Sequence, residues 1–309
     1  MQTNSQLLVL IAGEQAAPNL LTIQHLQPGR VIILHSKFAK SVSMANNLKL
    51  LMGRADTELH EVDEYDVQKV REKVTELIQH QSPVIVNVTG GTKPMSLGAL
   101  EAARNCGAQP LYVRSQDGKT LVDFYQFDNN LVGIQHTVSL NGTISLNDYI
   151  TSYFGDSWKE VGFGGDGIGK AFEKAVHDLL TECTDEVVSG WRDNSNQVDM
   201  DFVFRCNNQI GIVQAKTGRE AYSLNGIKQL LLGGDQRFFG TYAKRFLVIN
   251  QKWEKNEKSK FIFCEMTNIT VVELPSFVSE TSQISAGDRQ RFIQAVEGKM
   301  GKPHKGSQP

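Results

Sequence analysis

The chain has 309 residues, of which 40% are hydrophobic and 21% charged, and its formal net charge is −2. This composition excludes a disordered chain, a collagen-like fibre and a disulfide-stabilised miniprotein, and the length suits two hydrophobic cores. Residues 1–155 carry 12 basic and 14 acidic side chains, and the remainder carries 20 of each. A surface for nucleic acid must therefore come from local patches rather than from bulk charge.

The cysteines and the N-terminus indicate a cytoplasmic protein. No two of the four cysteines form a CxxC pair, and their spacing matches no zinc pattern; they are Cys106, Cys183, Cys206 and Cys264. The N-terminus lacks a basic segment followed by a long apolar core, and no stretch of 18 apolar residues occurs. We expect reduced thiols, no signal peptide and no membrane span.

The first part of the chain alternates apolar runs with segments of helical period. Continuous β-branched runs at 7–12, 31–35, 84–88 and 111–113 predict parallel strands that are covered on both faces. Helices are predicted at 39–52, 67–78 and 96–103. This alternation predicts a doubly wound, Rossmann-like α/β sheet, whose ligands bind beyond the carboxyl ends of the strands.

The pattern changes near residue 119. A two-strand ribbon is predicted at 120–127 and 132–140, with its turn at Asp128-Asn129-Asn130. A second α/β unit follows, with helices at 169–183, 223–232 and 288–297 and strands at 186–191, 198–204, 209–214 and 246–250. We therefore divide the chain into a first domain at 1–118, a ribbon and connector at 119–157, a second domain at 158–298 and a flexible tail at 299–309.

A glycine loop directly follows the buried strand at 84–88. It consists of Thr89, Gly90, Gly91, Thr92 and Lys93, with Met95 shortly after. Glycines allow backbone N–H groups to approach an anion, and the N-terminus of the following helix adds partial positive charge. The loop suits a phosphodiester or nucleotide ligand, although an ordinary strand-to-helix turn has the same sequence character. Other loops at this sheet edge supply Ala12, Gly13, Ser36, Lys37 and Arg114 as further candidates.

A second glycine run imitates a nucleotide-binding P-loop but fails its requirements. Gly164-Gly165-Asp166-Gly167-Ile168-Gly169-Lys170 is followed by Ala171, where a P-loop has Ser or Thr, and no buried strand precedes it. We interpret this run as an entry to the helix at 169–183.

The second domain carries a candidate hydrolytic site on two neighbouring strands. Gln214 and Lys216 point to one face because strand residues two apart share a face, and a hairpin brings Asp199 near them. Glu173 on the preceding helix can reach the same place. Such groups suit a magnesium- or manganese-dependent phosphodiesterase. The competing interpretations are an Asp199–Lys216 salt bridge and a pairing of Glu173 with His177 one helical turn later.

Both features, in this order, resemble a known family. The segments VNVTGGTKPM and SLNDYITSYFG resemble the CARF domains, and their connector, that sense cyclic oligoadenylates in type III CRISPR defence. The segment NQVDMDFVFRCNNQIGIVQAKTG is similar to the PD-(D/E)xK domain of the Can/Card nucleases. The resemblance implies an N-terminal Rossmann-like CARF domain and a C-terminal PD-(D/E)xK restriction-endonuclease-like α/β domain.

The resemblance also implies residue roles. Asp199, Gln214 and Glu173 match the metal-binding positions, and Lys216 matches the motif lysine. The family usually has Glu at the position of Gln214. The QxK variant found here resembles that of Mrr-type restriction nucleases, and an amide oxygen can still bind a metal. Asp201 is a candidate extra ligand. The glycine loop matches the family's ligand loop, with cyclic tetra-adenylate favoured and cyclic hexa-adenylate as the second candidate.

The expected protein is a homodimer that shares one cyclic oligoadenylate and, when activated, cleaves DNA or RNA with Mn²⁺ or Mg²⁺. Candidate phosphate contacts are Lys244, Arg245, Lys252, Lys255, Lys258 and Lys260. Two alternatives stay open at this point: a constitutive Mrr-like DNA endonuclease, and a sensor or adaptor whose nuclease fold is inactive because Gln214 replaces an acid.

Overall fold

The computed structural model describes residues 6–53, 56–116, 118–128, 131–163, 167–194, 198–240, 243–253 and 258–304, apart from the side chains of residues 236 and 237. The chain divides into two compact units, Met1–Gly155 and Asp156–Pro309. Within the described ranges, no helix combines the length and the apolar character that crossing a membrane requires.

Several sequence predictions lie outside these ranges. They are the ribbon turn at Asn129 and Asn130, the start of the P-loop-like run at Gly164, Gly165 and Asp166, Lys255, and the tail beyond residue 304.

The first unit is built on a seven-stranded sheet of order β3-β2-β1-β4-β5-β6-β7. Its strands are β1 (Leu7–Ala12), β2 (Arg30–His35), β3 (Asp56–Glu61), β4 (Val84–Asn87), β5 (Gln109–Gln116), β6 (Lys119–Asp128) and β7 (Leu131–Leu140). Its helices are α1 (Ala17–Leu26), α2 (Ala39–Met52), α3 (Val67–Ile78), α4 (Lys93–Cys106) and α5 (Leu146–Phe154). Strands β1 to β5 pair in parallel, and β6 and β7 continue the sheet antiparallel. The prediction of a mostly parallel α/β sheet is confirmed.

The burial of each strand explains which strands of this unit the sequence predicted. Strand β1 is buried along its whole length, which produces the continuous apolar run that predicted it. Strand β3 escaped prediction because it lies at the sheet edge and mixes buried Thr57 with partly exposed polar residues. The core side chains between the sheet and helices α3 and α4 include Ile11, Val70, Val86 and Ala99.

The ribbon predicted at 120–127 and 132–140 consists of β6 and β7, which form the last two strands of the first sheet. Helix α5 also lies within the first unit, where it packs against α2. It begins after Ser145, whose hydroxyl accepts a hydrogen bond from the Asp148 N–H.

The second unit is built on a six-stranded sheet of order β13-β12-β11-β10-β9-β8. Its strands are β8 (Trp158–Glu160), β9 (Glu186–Asp193), β10 (Asp199–Cys206), β11 (Gln209–Lys216), β12 (Lys244–Ile249) and β13 (Ile269–Glu273). Its helices are α6 (Ile168–Cys183), α7 (Asn225–Gly233), α8 (Gln236–Phe239), α9 (Lys258–Met266) and α10 (Ala286–Met300), with a 3₁₀ turn at Gly218–Tyr222. Strands β8 to β11 are antiparallel, and β11 to β13 are parallel.

The core of the second unit lies where α6 and α10 cover one side of this sheet. Phe172 on α6, Phe202 on β10, Phe246 on β12 and Phe292 on α10 are all buried within it. The apolar face predicted for the helix at 169–183 is the face that α6 buries. The sequence pattern did not single out β8, which has three residues, β13, which mixes two buried with three partly buried residues, or α9, which buries Cys264 alone.

The cysteines form no disulfide within the described residues, and three of the four are buried. Burial raises the pKa of the Cys206 thiol to about 12 and that of Cys264 to about 11. Thiols of this kind are poor nucleophiles because the reactive thiolate is scarce near neutral pH.

Candidate functional site

The glycine loop lies against strand β1, with no room for side chains at either glycine. A Cβ atom on Gly90 would lie 2.0 Å from the Ile11 carbonyl oxygen, and one on Gly91 would lie 2.3 Å from Ile11 Cγ2. Gly91 also has a φ of +72°, in the left-handed region that favours glycine. A Cβ on Gly13 would meet the Gly91 nitrogen at 2.7 Å. The loops after β1 and β4 therefore pack backbone to backbone.

Hydrogen bonds fix the shape of the glycine loop. The Thr89 hydroxyl accepts from the Val113 N–H at 2.8 Å, and the Thr89 N–H donates to Asn87 Oδ1 at 2.9 Å. The Ser96 hydroxyl donates to the Gly90 carbonyl at 2.9 Å. Each of these bonds joins the loop to a neighbouring strand or helix and so restrains its backbone.

The loop ends at the N-terminus of helix α4. Thr92 is the N-cap residue, and its hydroxyl accepts from the Met95 N–H at 3.4 Å. Lys93 is the first residue of the helix and its side chain is exposed. The helix dipole and the lysine charge both favour an anion here, which suits a phosphate group.

The predicted residues from the neighbouring loops lie along the same carboxyl edge. The Ser41 hydroxyl donates to the Ala12 carbonyl at 2.7 Å and accepts from the Ser36 N–H at 3.0 Å. Ser36 is buried, whereas Lys37 is exposed. The loops after β1 and β2 are therefore tied together, and Lys37 is an exposed basic side chain on the second of them.

Two predicted ligand-binding residues make other contacts within the first unit. Met95 is buried in the core beneath the loop, with its Sδ 3.2 Å from where a Gly91 Cβ would lie. Arg114 donates from Nε to Asp123 Oδ2 at 2.6 Å, and Asp123 also accepts from the Thr137 hydroxyl at 2.6 Å. The Arg114 hydrogen bond lowers the pKa of Asp123, and the pair neutralises the arginine charge.

In the second unit, three of the polar groups singled out in the sequence lie in contact where β10 and β11 separate. The two strands pair from Phe202 and Val213 back to their turn. Beyond that point, the Ala215 N–H donates to Asp201 Oδ2 at 2.7 Å rather than to a strand carbonyl. Lys216 Nζ lies 2.7 Å from Gln214 Oε1 and 3.4 Å from Asp201 Oδ2.

Gln214 is fully buried and connects the two strands. Its Nε2 donates to the Asp199 main-chain carbonyl at 2.8 Å, so its Oε1 is directed to Lys216. Burial raises the pKa of the Asp201 carboxyl, although Lys216 and the Ala215 N–H act in the opposite direction. The cluster is therefore a partly desolvated carboxylate, amide and ammonium group in contact.

Asp199 takes a different position from the one expected beside Lys216. Its carboxylate accepts from Arg192 Nη2 at 2.7 Å, across the β9–β10 pair. Asp199 is close enough to Asp201 for its negative charge to raise the pKa of that carboxyl. Asp201, rather than Asp199, therefore contacts the Lys216 side chain, and Asp199 pairs with Arg192.

Glu173 lies on α6, partly buried, and this helix packs against β9, β10 and β11. The predicted pairing partner His177 instead forms an edge contact with Phe163 and lies 3.5 Å from Asp178. Of the basic candidates, Arg245 donates to the carbonyls of Gly234 and Thr267, and Lys260 donates to the Tyr222 carbonyl. These two side chains are engaged in holding the fold.

Helix α7 supports Lys216 from behind. A Cβ on Gly226 would lie 3.1 Å from Lys216 Cγ and 2.8 Å from Leu247 Cδ1. A larger residue here would displace the Lys216 stem or the Leu247 side chain, because the helix approaches both closely. Sequence reasoning missed both Gly226 and Arg192, since a glycine in a helix and an arginine in a strand carry no signal without the fold.

The oxygen donors of this site are of types that a hard divalent cation accepts. Within the described residues, no group of three or more His, Cys, Asp or Glu side chains is arranged to hold a metal ion. The available oxygens are the carboxylates of Asp199 and Asp201 and the amide oxygen of Gln214, which are ligand types that Mg²⁺ and Mn²⁺ accept. Arg192 and Lys216 contact these oxygens, so cationic groups already lie where a metal ion would bind.

Comparison with known proteins gives one family-model match, which lies in the first unit, and several solved structures that share the fold of the chain. Residues 7–149 match the family model described as the Card1 CARF domain, as the sequence resemblance predicted. No curated protein matches the sequence. Can2 from Sulfobacillus thermosulfidooxidans, solved in complex with cyclic tetra-adenylate, is similar with a TM-score of 0.68 and 14% identity, over 96% of this chain and 99% of that chain.

Two further solved structures share the fold. Protein VC1899 from Vibrio cholerae is similar with a TM-score of 0.68 and 10% identity, over 96% of this chain and 99% of that chain. A type III CRISPR defence DNA nuclease activated by cyclic oligoadenylate is similar with a TM-score of 0.59 and 13% identity. That match covers 98% of this chain but 53% of the nuclease, so the present chain spans about half of its length. At such identities the likeness establishes the fold.

Proposed function

We propose, from the premise that residues 7–149 form a CARF domain of the Card1 type, that this chain is a cyclic-oligoadenylate-activated, metal-dependent nuclease of type III CRISPR antiviral defence. The observation that carries the proposal is the contact of Lys216 with Gln214 and Asp201 where β10 and β11 separate. A PD-(D/E)xK site needs a lysine and oxygen ligands in this relation. The folds of Can2 and of the CRISPR defence nuclease support the same assignment.

The glycine loop would bind the ring phosphates in the first unit. Backbone N–H groups of Gly90 and Gly91 and the α4 N-terminus supply donors, while Lys93 and Lys37 supply charge. Cyclic tetra-adenylate is the favoured activator because Can2 was solved with it, and cyclic hexa-adenylate is the second candidate. A homodimer would share one ring across its two-fold axis, since an even-membered ring has matching symmetry.

Asp199, Asp201 and Gln214 would hold the divalent cation in the second unit, with Glu173 as a further ligand. The bound cation would polarise the phosphodiester and lower the pKa of the attacking water. Lys216, held against Gln214 by Gly226 behind it, would orient that water and offset charge in the transition state. Arg192 would be released from Asp199 to meet the substrate phosphate. The substrate is DNA, with RNA as the second candidate.

The decisive assay incubates the full chain with plasmid DNA, single-stranded DNA and RNA, with Mn²⁺ or Mg²⁺, and with or without cyclic tetra- or hexa-adenylate. We expect cleavage only when both the metal and a ring are present. Lys216→Ala should lower the cleavage rate by at least about 100-fold, because the lysine acts on the transition state, and should leave ring binding unchanged. Lys228→Ala, which removes an exposed lysine of α7, is the matched control.

The alternatives predict different results in the same assay. Cleavage that ignores every ring would identify a constitutive Mrr-like endonuclease and refute the sensor role. Ring binding without cleavage under any metal would identify an inactive sensor and refute the nuclease role.

A further inference from the structure

Two exposed aromatic side chains lie at the carboxyl edge of the first sheet. Tyr65, in the turn between β3 and α3, is 69% exposed, and Phe38, the N-cap residue of α2, is 54% exposed. They are the two most exposed of the Phe, Tyr and Trp side chains that the structure describes. Single exposed aromatic residues are common on protein surfaces, so the position of these two, rather than their exposure alone, carries the argument.

Tyr65 is held beside the end of the glycine loop. The carbonyl that accepts from the Thr92 hydroxyl belongs to the peptide bond between Glu64 and Tyr65, and Thr92 is the N-cap of α4. The Tyr65 N–H donates to Asp63 Oδ1 at 3.1 Å. These bonds fix the backbone of Tyr65, whereas the described residues give its phenol ring no hydrogen bond or ring contact. The exposed ring can therefore rotate onto a ligand that the adjacent loop holds.

Phe38 lies on the neighbouring loop of the same edge. Its N–H donates to the Ser36 hydroxyl at 3.3 Å, so its backbone is also restrained. The start of the turn that carries Tyr65 is joined to this loop, because the Val62 N–H donates to the His35 carbonyl at 2.9 Å. The two aromatic residues therefore stand on connected segments of one sheet edge.

Positive charge lies close to both segments. The Tyr65 N–H bond is the largest effect that lowers the pKa of Asp63, and the charge of Lys37 acts on that carboxyl in the same direction. Lys37, which directly precedes Phe38, therefore lies near the turn of Tyr65. This edge combines backbone donors, an ammonium group and two aromatic faces, which is the combination that proteins use to hold single-stranded nucleotides.

We propose that Tyr65 and Phe38 stack on adenine bases of the bound ring. The inference rests on the proposed function. Each base of the ring is joined to its phosphate through a single sugar, so a ring whose phosphates lie at the glycine loop carries its bases close by. Stacking on an aromatic face would hold them there. In a homodimer, each copy would present both side chains, which matches the four bases of cyclic tetra-adenylate.

The test measures, by calorimetry, the affinity of the full chain for cyclic tetra-adenylate and cyclic hexa-adenylate. Tyr65→Ala and Phe38→Ala should each weaken binding by roughly 5- to 100-fold, the range expected when a stacking residue is removed. Tyr65→Phe should bind as the wild type, Tyr65→Trp at least as tightly, and Tyr65→Leu nearly as weakly as Tyr65→Ala. Tyr222→Ala, at an exposed tyrosine of the second unit, is the matched control and should keep the wild-type affinity.

The outcomes separate this inference from the proposed function. A wild type that binds neither ring refutes the sensor role, and the inference with it. Wild-type affinity in both alanine variants refutes stacking and leaves the sensor role intact, and wild-type affinity in one of them refutes that residue as a platform. Equal losses in Tyr65→Phe and Tyr65→Ala would assign a hydrogen bond to the phenol hydroxyl, and wild-type affinity in Tyr65→Leu would assign a plain apolar contact. Either result refutes stacking by Tyr65.

Discussion

Some charged side chains in this protein are paired within the fold, whereas others are exposed to solvent. Arg114 and Asp123 are paired on adjacent strands, and Arg205 holds Asp185 and Glu186 in the same way. Lys37 and Lys93, by contrast, are exposed at the carboxyl edge of the first sheet. Sequence reading included Arg114 as a further ligand candidate beside the glycine loop of Lys93, since a partner on a neighbouring strand cannot be inferred from the arginine itself.

The Asp123–Arg114 pair should make the stability of the first unit depend on pH. The arginine hydrogen bond lowers the pKa of Asp123 below its ordinary value of 3.8, so this contribution is present above about pH 4 and is lost as the pH falls through the lowered pKa. Asp123→Asn should therefore unfold at a lower temperature than the wild type at pH 7, with the deficit shrinking toward pH 3. Calorimetric scans at both pH values measure it.

The control for this prediction is Glu76→Gln, which removes an exposed acid paired with Lys73 within α3. Its deficit should be small at both pH values because exposed pairs contribute little. A deficit for Asp123→Asn that stays the same from pH 7 to pH 3 would show that the pair does not act through its charge.

At the scale of elements, the site in the second unit is formed by the separation of two strands and the close approach of one helix. Strands β10 and β11 part after Phe202 and Val213, which frees the Ala215 N–H for Asp201. Helix α7 then contacts Lys216 through Gly226. The strand positions were predicted closely from their apolar runs, whereas the partner of Lys216 was not, because the splay of the pair decides which aspartate reaches it.

Gly226→Ala should impair both catalysis and stability. The added methyl group would press on Lys216 Cγ and Leu247 Cδ1, and overpacking of this kind costs about 1–3 kcal/mol, offset in part by the higher helix propensity of alanine. We expect a cleavage rate at least about tenfold lower, because small displacements of a catalytic group are costly. Urea unfolding and initial cleavage rates measure the two effects.

Gly298→Ala supplies the opposite case in the same assay. Gly298 is exposed on α10 and an added Cβ would meet no atom within 4 Å. This variant should gain roughly 0.5–1 kcal/mol of stability and keep the wild-type rate. If Gly226→Ala also kept the wild-type rate, the close packing of α7 on Lys216 would have no part in positioning the lysine.

For the whole molecule, the two candidate sites lie in separate compact units, so their functions should separate by mutation. The glycine loop and Lys93 belong to the first unit, and Lys216 belongs to the second. A change in the first unit should alter the concentration of cyclic oligoadenylate needed for activation. A change in the second unit should alter the cleavage rate of the activated protein.

Lys93→Ala should raise the concentration of cyclic tetra-adenylate that gives half-maximal cleavage by about tenfold or more, because it removes a charged phosphate contact. The maximal rate at saturating ring should stay near that of the wild type. Ring titrations of the cleavage rate measure both quantities, with Lys49→Ala, at an exposed lysine of α2, as the control. A lowered maximal rate with an unchanged half-maximal concentration would contradict this division of labour.

The sequence by itself determined the two α/β units, four of the five parallel strands of the first sheet, the glycine loop and the strand pair of the candidate nuclease site. These follow from local signals, since periodicity, glycine and neighbouring residue types are written along the chain. Tertiary structure alone decided which charges remain available: Asp123 pairs with Arg114, Arg192 pairs with Asp199, and Asp201 contacts Lys216. The reason is physical, because each of these outcomes depends on a contact between segments distant in sequence or on burial by them.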